Sequence, residues 1–444
     1  MLNALAPINY DSGFGNHKMR EITYKLFLLL CFFLLARPQD LLTFLQPYRP
    51  TLAITIITLG SFIFTAQKIK IKTLVSQTEL KFYIVFYLIM ITGIPFAYYR
   101  REAFNFVFFN YLVNLLFFII FIYEVNSFRR LKAFIFIAFL SGITYSCFGY
   151  LFGSSIYGRF KIYGAMFDPN DIAYVLISLV PFSFYYLQIK KEPVLKTLAV
   201  LCVCASTAVI LLTGSRGGLI ASLVVLILVF FNKANRKKFS YKVIFLMVLC
   251  GVCYFIIDRI DIERYMSLFS LESDYNVESE LGRLQIWERA ISFTIEHPLT
   301  GVGVQCFPMA LGYSRAELGL VPKWQAAHNA FLQISAETGL VGFTLFVLLT
   351  IKSLIIFFNV SKIKAFSISS REIKILSNLM LLAFIGHNIA AFFLSQGYSI
   401  FFTMFFAMAS AIKQITANAL KKDIQTLLAM RPNRSTISKT SFRV

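Results

Sequence analysis

Three arginines and one histidine have the side-chain types for chemistry on an anionic substrate: Arg159, Arg216, Arg283 and His328. Each arginine has a glycine neighbour, and His328 begins an apolar run. A guanidinium group presents a planar fork of donors that matches two phosphate oxygens. A neutral imidazole can act as a general base. The residue types suit phosphate binding and proton transfer, although Arg216 could equally snorkel to water and His328 could be a solvated helix start.

Each of these residues lies in a short polar segment with a local pattern of its own. Arg216 lies in Thr213-Gly214-Ser215-Arg216-Gly217-Gly218, which predicts a tight hairpin between two spans. The segment that ends in Asp168-Pro169-Asn170-Asp171 predicts a helix start with Asn170 as the N-cap and Asp171 at the positive end of the helix dipole. Nearby guanidinium charges should hold His328 neutral, because like charge disfavours protonation.

The elements that position these residues must be membrane helices. Of 444 residues, 58% are hydrophobic and only 15% charged, with a mean hydropathy of +0.70. Apolar runs of about 20 residues recur, each long enough to cross a hydrocarbon core. The fold class is therefore predicted as an all-α polytopic membrane protein in a lipid bilayer. The net charge of +21 is explained by basic cytoplasmic loops, so nucleic acid is not an expected partner.

Twelve candidate spans are predicted, and the lysine-rich loops alternate between them. The spans are about 24–36, 51–66, 80–98, 103–123, 131–152, 171–188, 195–213, 218–231, 241–258, 328–358, 373–395 and 398–413. Alternate loops and both termini carry the lysines, which predicts that both termini and Lys237 are cytoplasmic, whereas Tyr313 is external. Polar loops 153–170, 213–217 and 259–327 then lie outside.

The chain is expected to have four parts. Residues 1–258 hold nine spans, 259–327 form a partly helical external loop, 328–416 hold the last three spans, and 417–444 form a basic cytoplasmic tail. The large loop should open with an amphipathic helix near Leu281 to Glu296, with Leu284, Trp287, Ala290 and Ile291 on one face. Such a helix can lie along a membrane interface and bring Arg283 and Arg289 to the headgroups.

Taken in order, these segments resemble the O-antigen ligase and polymerase superfamily of bacterial membrane glycan transferases. The matching pieces are Phe167-Asp168-Pro169-Asn170, Thr213 to Gly218, Gly282-Arg283 with Trp287, His297-Pro298 with Gly301-Val302-Gly303, His328 to Gln333, and Gly339 to Gly342. The resemblance covers about residues 150–400. It implies an inverting, metal-independent transfer of a glycan from undecaprenyl diphosphate to lipid A-core or another acceptor, at the periplasmic face of the bacterial inner membrane and without a cofactor.

The resemblance also implies roles for single residues. Arg216 and Arg283 would stabilise the departing diphosphate, and His328 would take the proton of the attacking hydroxyl. The neighbouring candidates for substrate binding are Arg159, Asn170, Ser215, Trp287, Arg289 and Asn329. External Asp and Glu residues show no convincing metal-ligand spacing, so no metal site is predicted.

Two other functions remain open at this stage. A repeat-unit polymerase of the same superfamily uses the same donor chemistry and differs only in its acceptor. A twelve-helix transporter would place polar groups near the bilayer midplane, whereas these arginines and His328 are predicted at one face. Deeper in the membrane, Glu337 and His387 are expected at matching depth, and they either pair or are satisfied separately.

Overall fold

The computed structural model describes residues 14–66, 77–156, 159–161, 168–188, 192–231, 251, 254, 256–266 and 282–429. Most of the predicted span 241–258, Lys237, the segment Gly164 to Phe167 and the end of the tail from 430 lie outside these residues. Within the described residues the protein is a bundle of long helices joined by short connections, with a helical subdomain between residues 282 and 327. It contains none of the helices long enough to span a membrane and is called the external subdomain for that reason, whichever side of the membrane it faces.

The described elements include seventeen α-helices and two strands, besides short 3₁₀ and π-helical turns. The helices before the hairpin are α1 (Phe14–Ala36), α2 (Pro38–Leu41), α3 (Pro50–Ala66), α4 (Thr78–Gly93), α5 (Arg100–Asn105), α6 (Leu112–Glu124) and α7 (Phe128–Phe152). Strands β1 (Ser154–Ile156) and β2 (Arg159–Lys161) follow. The remaining helices are α8 (Pro169–Leu179), α9 (Ser183–Gln188), α10 (Pro193–Leu212), α11 (Arg216–Phe231), α12 (Ile262–Met266), α13 (Arg283–Glu296), α14 (Phe307–Glu317), α15 (Ala330–Ser361), α16 (Ile368–Ala391) and α17 (Ile400–Ala429).

Hydropathy and helix length together confirm the polytopic fold class. Among the described residues, nine helical stretches are long and apolar enough to cross a membrane. Helix α11 is apolar but has only 16 residues, in agreement with the short span predicted there. Helix α17 continues to Ala429, so no break in the structure marks the predicted start of the tail at 417. The most buried spans are those of α8 and α17, at 83% and 89%, which therefore form the centre of the bundle.

The loop after α7 differs from the sequence expectation in two ways. It contains an antiparallel hairpin in which Ile156 pairs with Arg159. The N-cap of α8 is Asp168, whose carboxylate accepts the backbone N–H of Asn170, so the prediction of Asn170 as the cap was wrong. Pro169 occupies the first helical position, where a backbone N–H is dispensable, and the helix starts two residues earlier than an N-cap at Asn170 would give.

The external subdomain docks onto a break in α15. Gly339 leaves the helical conformation with φ 68°, and this frees backbone groups that a regular helix would pair internally. Leu340 N donates to Pro298 O at 2.7 Å, and Val302 N donates to Ala336 O at 2.8 Å. A Cβ atom on Gly301 would lie 2.4 Å from the Glu337 backbone carbon, so glycine is required for this close approach. The two glycine motifs, 301–303 and 339–342, therefore belong to one docking site.

Of the two alternatives for Glu337 and His387, the structure has the second: they do not pair and are satisfied separately. The Glu337 carboxylate accepts the backbone N–H groups of Gln305 at 2.9 Å and Phe307 at 3.2 Å. The His387 ring instead hydrogen-bonds to Ser178 at 2.9 Å and to Tyr174 at 3.3 Å. Depth along the helix was estimated correctly enough to suggest a pair, but the direction of each side chain around its helix was not. Glu337 thus fixes the external subdomain to α15.

The amphipathic helix of the large loop forms as α13. Ile286, Ala290 and Phe293 pack into the core of the subdomain. Leu284 and Ile291, which the sequence places on the face expected along the membrane interface, are 49% and 48% exposed. Ala290, expected on that same face, is instead buried in the subdomain core.

Candidate functional site

A single cavity of about 550 Å³ brings together the residues that the sequence spreads over more than half the chain. Arg159, Asn170, Arg216, Arg283 and His328 all line it, as predicted site residues should. The other lining residues are Asp168, Asp171, Gly217, Arg264, Ile286, Gln325, Ala326, Phe393, Leu394, Ser395 and Gln396. The lining holds four arginines against two aspartates, so the cavity is suited to an anion.

Helix N-termini from four parts of the chain supply lining residues. Arg216 is the first residue of α11 and Arg283 the first of α13. Asn170 lies in the first turn of α8, and His328 lies two residues before α15. The N-terminal end of a helix carries partial positive charge and unpaired N–H groups, both of which favour an anion. The arginine side chains and the helix N-termini therefore both favour the binding of an anion.

Arg159 and Arg264 are both anchored on the turn between α10 and α11. Arg159 Nε donates to the Thr213 carbonyl at 3.3 Å, and Arg264 Nε donates to the Gly214 carbonyl at 2.9 Å. Gly214 has a φ of 61°, and a Cβ atom there would lie 3.0 Å from Arg264 Cδ. Burial lowers the pKa of Arg159, and the nearby Arg264 charge lowers it further. Holding two cations this close costs electrostatic free energy that a bound anion would offset.

His328 is held in an unusual backbone conformation next to this cationic wall. Its φ is 51°, in the left-handed region that non-glycine residues seldom occupy. Its backbone N–H donates to Ser395 Oγ at 2.7 Å. Burial lowers the pKa of the imidazole, Arg283 lowers it further, and Asp168 partly opposes the two. The expected direction is confirmed, but burial contributes more than the arginine charge.

Carboxylate and amide groups line the cavity beside the arginines. Gln396 Nε2 donates to Asp171 Oδ1 at 2.9 Å, and both side chains line the cavity. Arg159 donates to Asn170 Oδ1 at 3.2 Å, which links these groups to the cationic wall. Carboxylate and amide groups are common partners of hydroxyl groups, so this side of the cavity is suited to a sugar.

Two predicted binding residues act as caps and lie outside the cavity lining. Ser215 Oγ accepts the backbone N–H of Gly218 at 3.2 Å and is buried at the start of α11. Asn329 is the N-cap of α15, where its carbonyl oxygen accepts N–H groups of Phe331 and Leu332 at 2.9 and 3.1 Å. Both residues have the types that N-caps prefer, which explains why they stand beside the site residues in sequence.

Trp287 and Arg289 also lie outside the lining, contrary to the sequence interpretation. Trp287 Nε1 donates to the Ala327 carbonyl at 3.1 Å, directly before His328 in the chain. Arg289 pairs with Glu296 at 3.1 Å and lies over the ring of Phe293. These contacts assign Trp287 to support of the site and Arg289 to the surface of the external subdomain.

Sequence reasoning missed Arg264, Ser395, Gln396 and Gln325, and it read Asp171 only as a helix-dipole residue. Arg264 is in a helix of five residues that no periodic pattern reveals. Ser395 and Gln396 lie between two spans, where polar residues are expected for solvation alone. The one available signal was the polar Ser395-Gln396-Gly397 stretch in a short connection on the same side as His328.

Comparison with known families supports the resemblance found in the sequence. The O-Antigen ligase family model matches residues 199–347, which include Arg216, Arg283 and His328. No curated protein matches the chain significantly. The matched stretch begins in α10 and ends within α15, so it contains the external subdomain and the helix to which it docks.

Proposed function

Because residues 199–347 match the O-Antigen ligase family model, we propose that the chain is a glycosyltransferase that moves a glycan from undecaprenyl diphosphate to an acceptor hydroxyl. The acceptor favoured here is lipid A-core. The observation that carries this proposal is the one cavity lined by Arg216, Arg283 and His328 together. The proposed location is the periplasmic face of the inner membrane.

In this reaction the cationic wall binds the diphosphate of the donor. Arg216 and Arg283 contact the phosphate oxygens that gain charge as the bond to the sugar breaks, and Arg159 and Arg264 contribute further positive charge. Charge that develops in a partly water-excluded cavity is stabilised more strongly than in water. Because four guanidinium groups and the helix N-termini supply this charge, the proposed reaction needs no metal ion.

His328 serves as the general base in the proposed step. The acceptor oxygen attacks the anomeric carbon, the bond from that carbon to the diphosphate oxygen breaks, and the diphosphate leaves with the electron pair. His328 takes the proton of the acceptor hydroxyl. Direct displacement at the anomeric carbon inverts its configuration. Its lowered pKa keeps the imidazole neutral, the form a base requires.

Transport is a weaker explanation for the same residues. The lining arginines lie at helix ends and in connections, whereas a transporter places its polar binding groups near the midplane. Arg216 and Arg283 are the first residues of their helices, and His328 lies just before one, so none of the three is in the middle of a helix. A periplasmic transferase makes use of such a position, because both a lipid-linked donor and a lipid-linked acceptor present their sugars there.

A reconstituted transfer assay tests the proposal and separates ligase from polymerase. Purified protein in proteoliposomes receives an undecaprenyl diphosphate-linked glycan with lipid A-core as one acceptor and a second lipid-linked glycan as the other. Glycosylated lipid A-core is the expected product, and Arg283→Ala should abolish it in folded protein. A lengthened lipid-linked glycan would instead indicate a polymerase. Neither product from folded wild-type protein would contradict the transferase proposal.

A further inference from the structure

The connection between α16 and α17, residues 392–399, provides one side of the cavity. Phe393, Leu394, Ser395 and Gln396 all line it. These residues lie outside the stretch matched by the family model, which ends at 347. The connection therefore brings to the site groups that neither the motifs nor the family comparison assigns.

Ser395 is the residue of this connection whose side chain contacts the backbone of His328. The His328 N–H donates to Ser395 Oγ at 2.7 Å. His328 has a φ of 51°, a conformation that persists only where surrounding contacts hold it. Since side-chain direction follows backbone conformation, this hydrogen bond helps to set where the imidazole points.

The residues on either side of this contact are held as well. Trp287 Nε1 donates to the Ala327 carbonyl at 3.1 Å, and the Trp287 ring packs edge-on against Phe392 with centroids 5.4 Å apart. Trp287 thus contacts both the residue before His328 and the first residue of the connection. Through Trp287, α13 therefore joins the segment before His328 to the connection.

The connection is anchored in turn to the buried helices. Gln396 donates to Asp171 at 2.9 Å, and Gly397 N donates to Gln333 Oε1 at 3.2 Å. Ser399 hydrogen-bonds to the Tyr174 hydroxyl at 2.6 Å. Polar groups at membrane depth need such partners, and these bonds attach the connection to α8 and α15. Ser395 is therefore presented to His328 from a fixed support.

We propose that Ser395 is a positioning residue that holds His328 in the orientation needed to take the acceptor proton. The inference rests on the proposed transfer reaction. It assigns Ser395 no contact with the substrate: its hydroxyl acts through the His328 backbone, and the Gln396 and Ser399 hydrogen bonds keep that hydroxyl in place.

The first test separates turnover from binding in reconstituted full-length protein. Ser395→Ala removes the acceptor of the His328 N–H, whereas Ser395→Thr keeps a hydroxyl at the same position. We expect kcat of the alanine variant to fall about tenfold or more, because small misplacements of a catalytic group are costly, while the donor KM stays within about twofold. Threonine should restore most of the turnover. The matched control is Ser377→Ala in α16, which removes a buried hydrogen bond to the Phe357 carbonyl in α15.

The second readout is the acid limb of the pH profile, which does not depend on how much of a variant folds. The imidazole faces Arg283 and Asp168, and Arg159, Arg216, Arg264 and Asp171 line the same cavity. Burial and Arg283 lower the pKa of His328 in the native geometry. If Ser395→Ala lets the ring move, its pKa returns toward the ordinary value and the limb shifts to higher pH. A variant that only contains less folded protein would have lower activity at every pH, with the acid limb at the same pH as in the wild-type protein.

The outcomes decide the inference separately from the function. If the wild-type protein transfers no glycan, the proposed function fails. If the wild-type protein is active and Ser395→Ala has unchanged kcat and an unmoved acid limb, the positioning role is rejected. Should Ser395→Ala be inactive, Ser395→Cys replaces it, since a thiol is a much weaker acceptor. An unmoved limb with normal turnover in that variant also rejects the role.

Discussion

Guanidinium and ammonium groups carry the same charge but offer different donor geometry. Among the described residues that line the cavity, the four permanent cations are all arginines. A fork of parallel donors meets two oxygens of one phosphate, whereas a lysine meets them as a point charge. Replacing Arg216 or Arg283 by lysine therefore tests whether donor geometry matters in addition to charge.

We predict that Arg216→Lys and Arg283→Lys each lower the transfer rate at least about tenfold, equivalent to about 1.4 kcal/mol of lost transition-state stabilisation. The measurement is kcat/KM for the lipid-linked donor in proteoliposomes. Arg371→Lys, an exposed position at the other end of α16, is the matched control and should leave the rate unchanged. Full activity in either cavity variant would show that the fork is unnecessary.

The pH dependence of transfer should report the environment of His328. The folded-state pKa is lowered, so the neutral base persists to lower pH than usual. We predict that kcat/KM stays high below about pH 6.5, the ordinary histidine value, and is lost as pH falls through the lowered pKa. His328→Ala should remove this limb and reduce kcat more than donor affinity. A limb at or above the ordinary value in wild-type protein would contradict the assignment.

At the residue scale, the sequence predicted those site residues that combine a rare type with a glycine or helix-start context. Arg216, Arg283 and His328 were found in this way, and the structure brings them to one cavity. The same context misled the assignment of Ser215 and Asn329, because a helix cap needs the same side chains as a polar ligand contact. Ser395 and Arg264 could not be found, since only tertiary contact gives them a role.

At the scale of elements, the break in α15 converts a transmembrane helix into a dock for the external subdomain. Gly339 occupies the left-handed region, and a Cβ atom there would lie 2.5 Å from Pro298 O. Irregular backbone at this depth is tolerated because Pro298 and Val302 satisfy the freed groups. The dock lies a few turns from His328 and supports the subdomain that carries Arg283.

We predict that Gly339→Ala lowers stability by about 1–3 kcal/mol through left-handed strain, and by more if Pro298 cannot shift. Transfer activity should fall with it, because Arg283 is carried by the displaced subdomain. Thermal unfolding of the detergent-solubilised protein measures the effect. Gly60→Ala in α3 is the control, since a Cβ atom there meets nothing within 4 Å. Equal melting temperatures of the two variants would argue against a strained dock.

Element boundaries followed well from hydropathy, whereas contacts between elements did not. The predicted amphipathic helix formed within two residues of its expected start, yet Ala290, expected on the membrane-interface face with Leu284 and Ile291, is buried in the subdomain core. A similar depth of Glu337 and His387 likewise did not decide whether they pair. Periodicity gives a position along a helix, but the direction of packing depends on neighbours that the sequence does not name.

At the scale of the whole molecule, the proposed periplasmic position of the cavity departs from the usual charge distribution. Basic residues on that side oppose the usual bias toward cytoplasmic lysine and arginine. Arginines that line a cavity against that bias need another reason to be present, and diphosphate binding supplies one. Lysines are found at the opposite end of α15 from the cavity: Lys362 and Lys364 follow the end of this helix that is farther from His328.

Cysteine labelling tests this orientation directly. Tyr313, 52% exposed in the external subdomain, and Lys364, exposed beyond the other end of α15, are each replaced by cysteine in a chain without the seven native cysteines. We predict that a membrane-impermeant maleimide applied to intact spheroplasts labels Tyr313→Cys, because the subdomain faces the periplasm. Lys364→Cys should react only after permeabilisation, which is the control for its accessibility. Labelling of Lys364→Cys in intact spheroplasts, with Tyr313→Cys protected, would reverse the orientation and place the cavity on the cytoplasmic side.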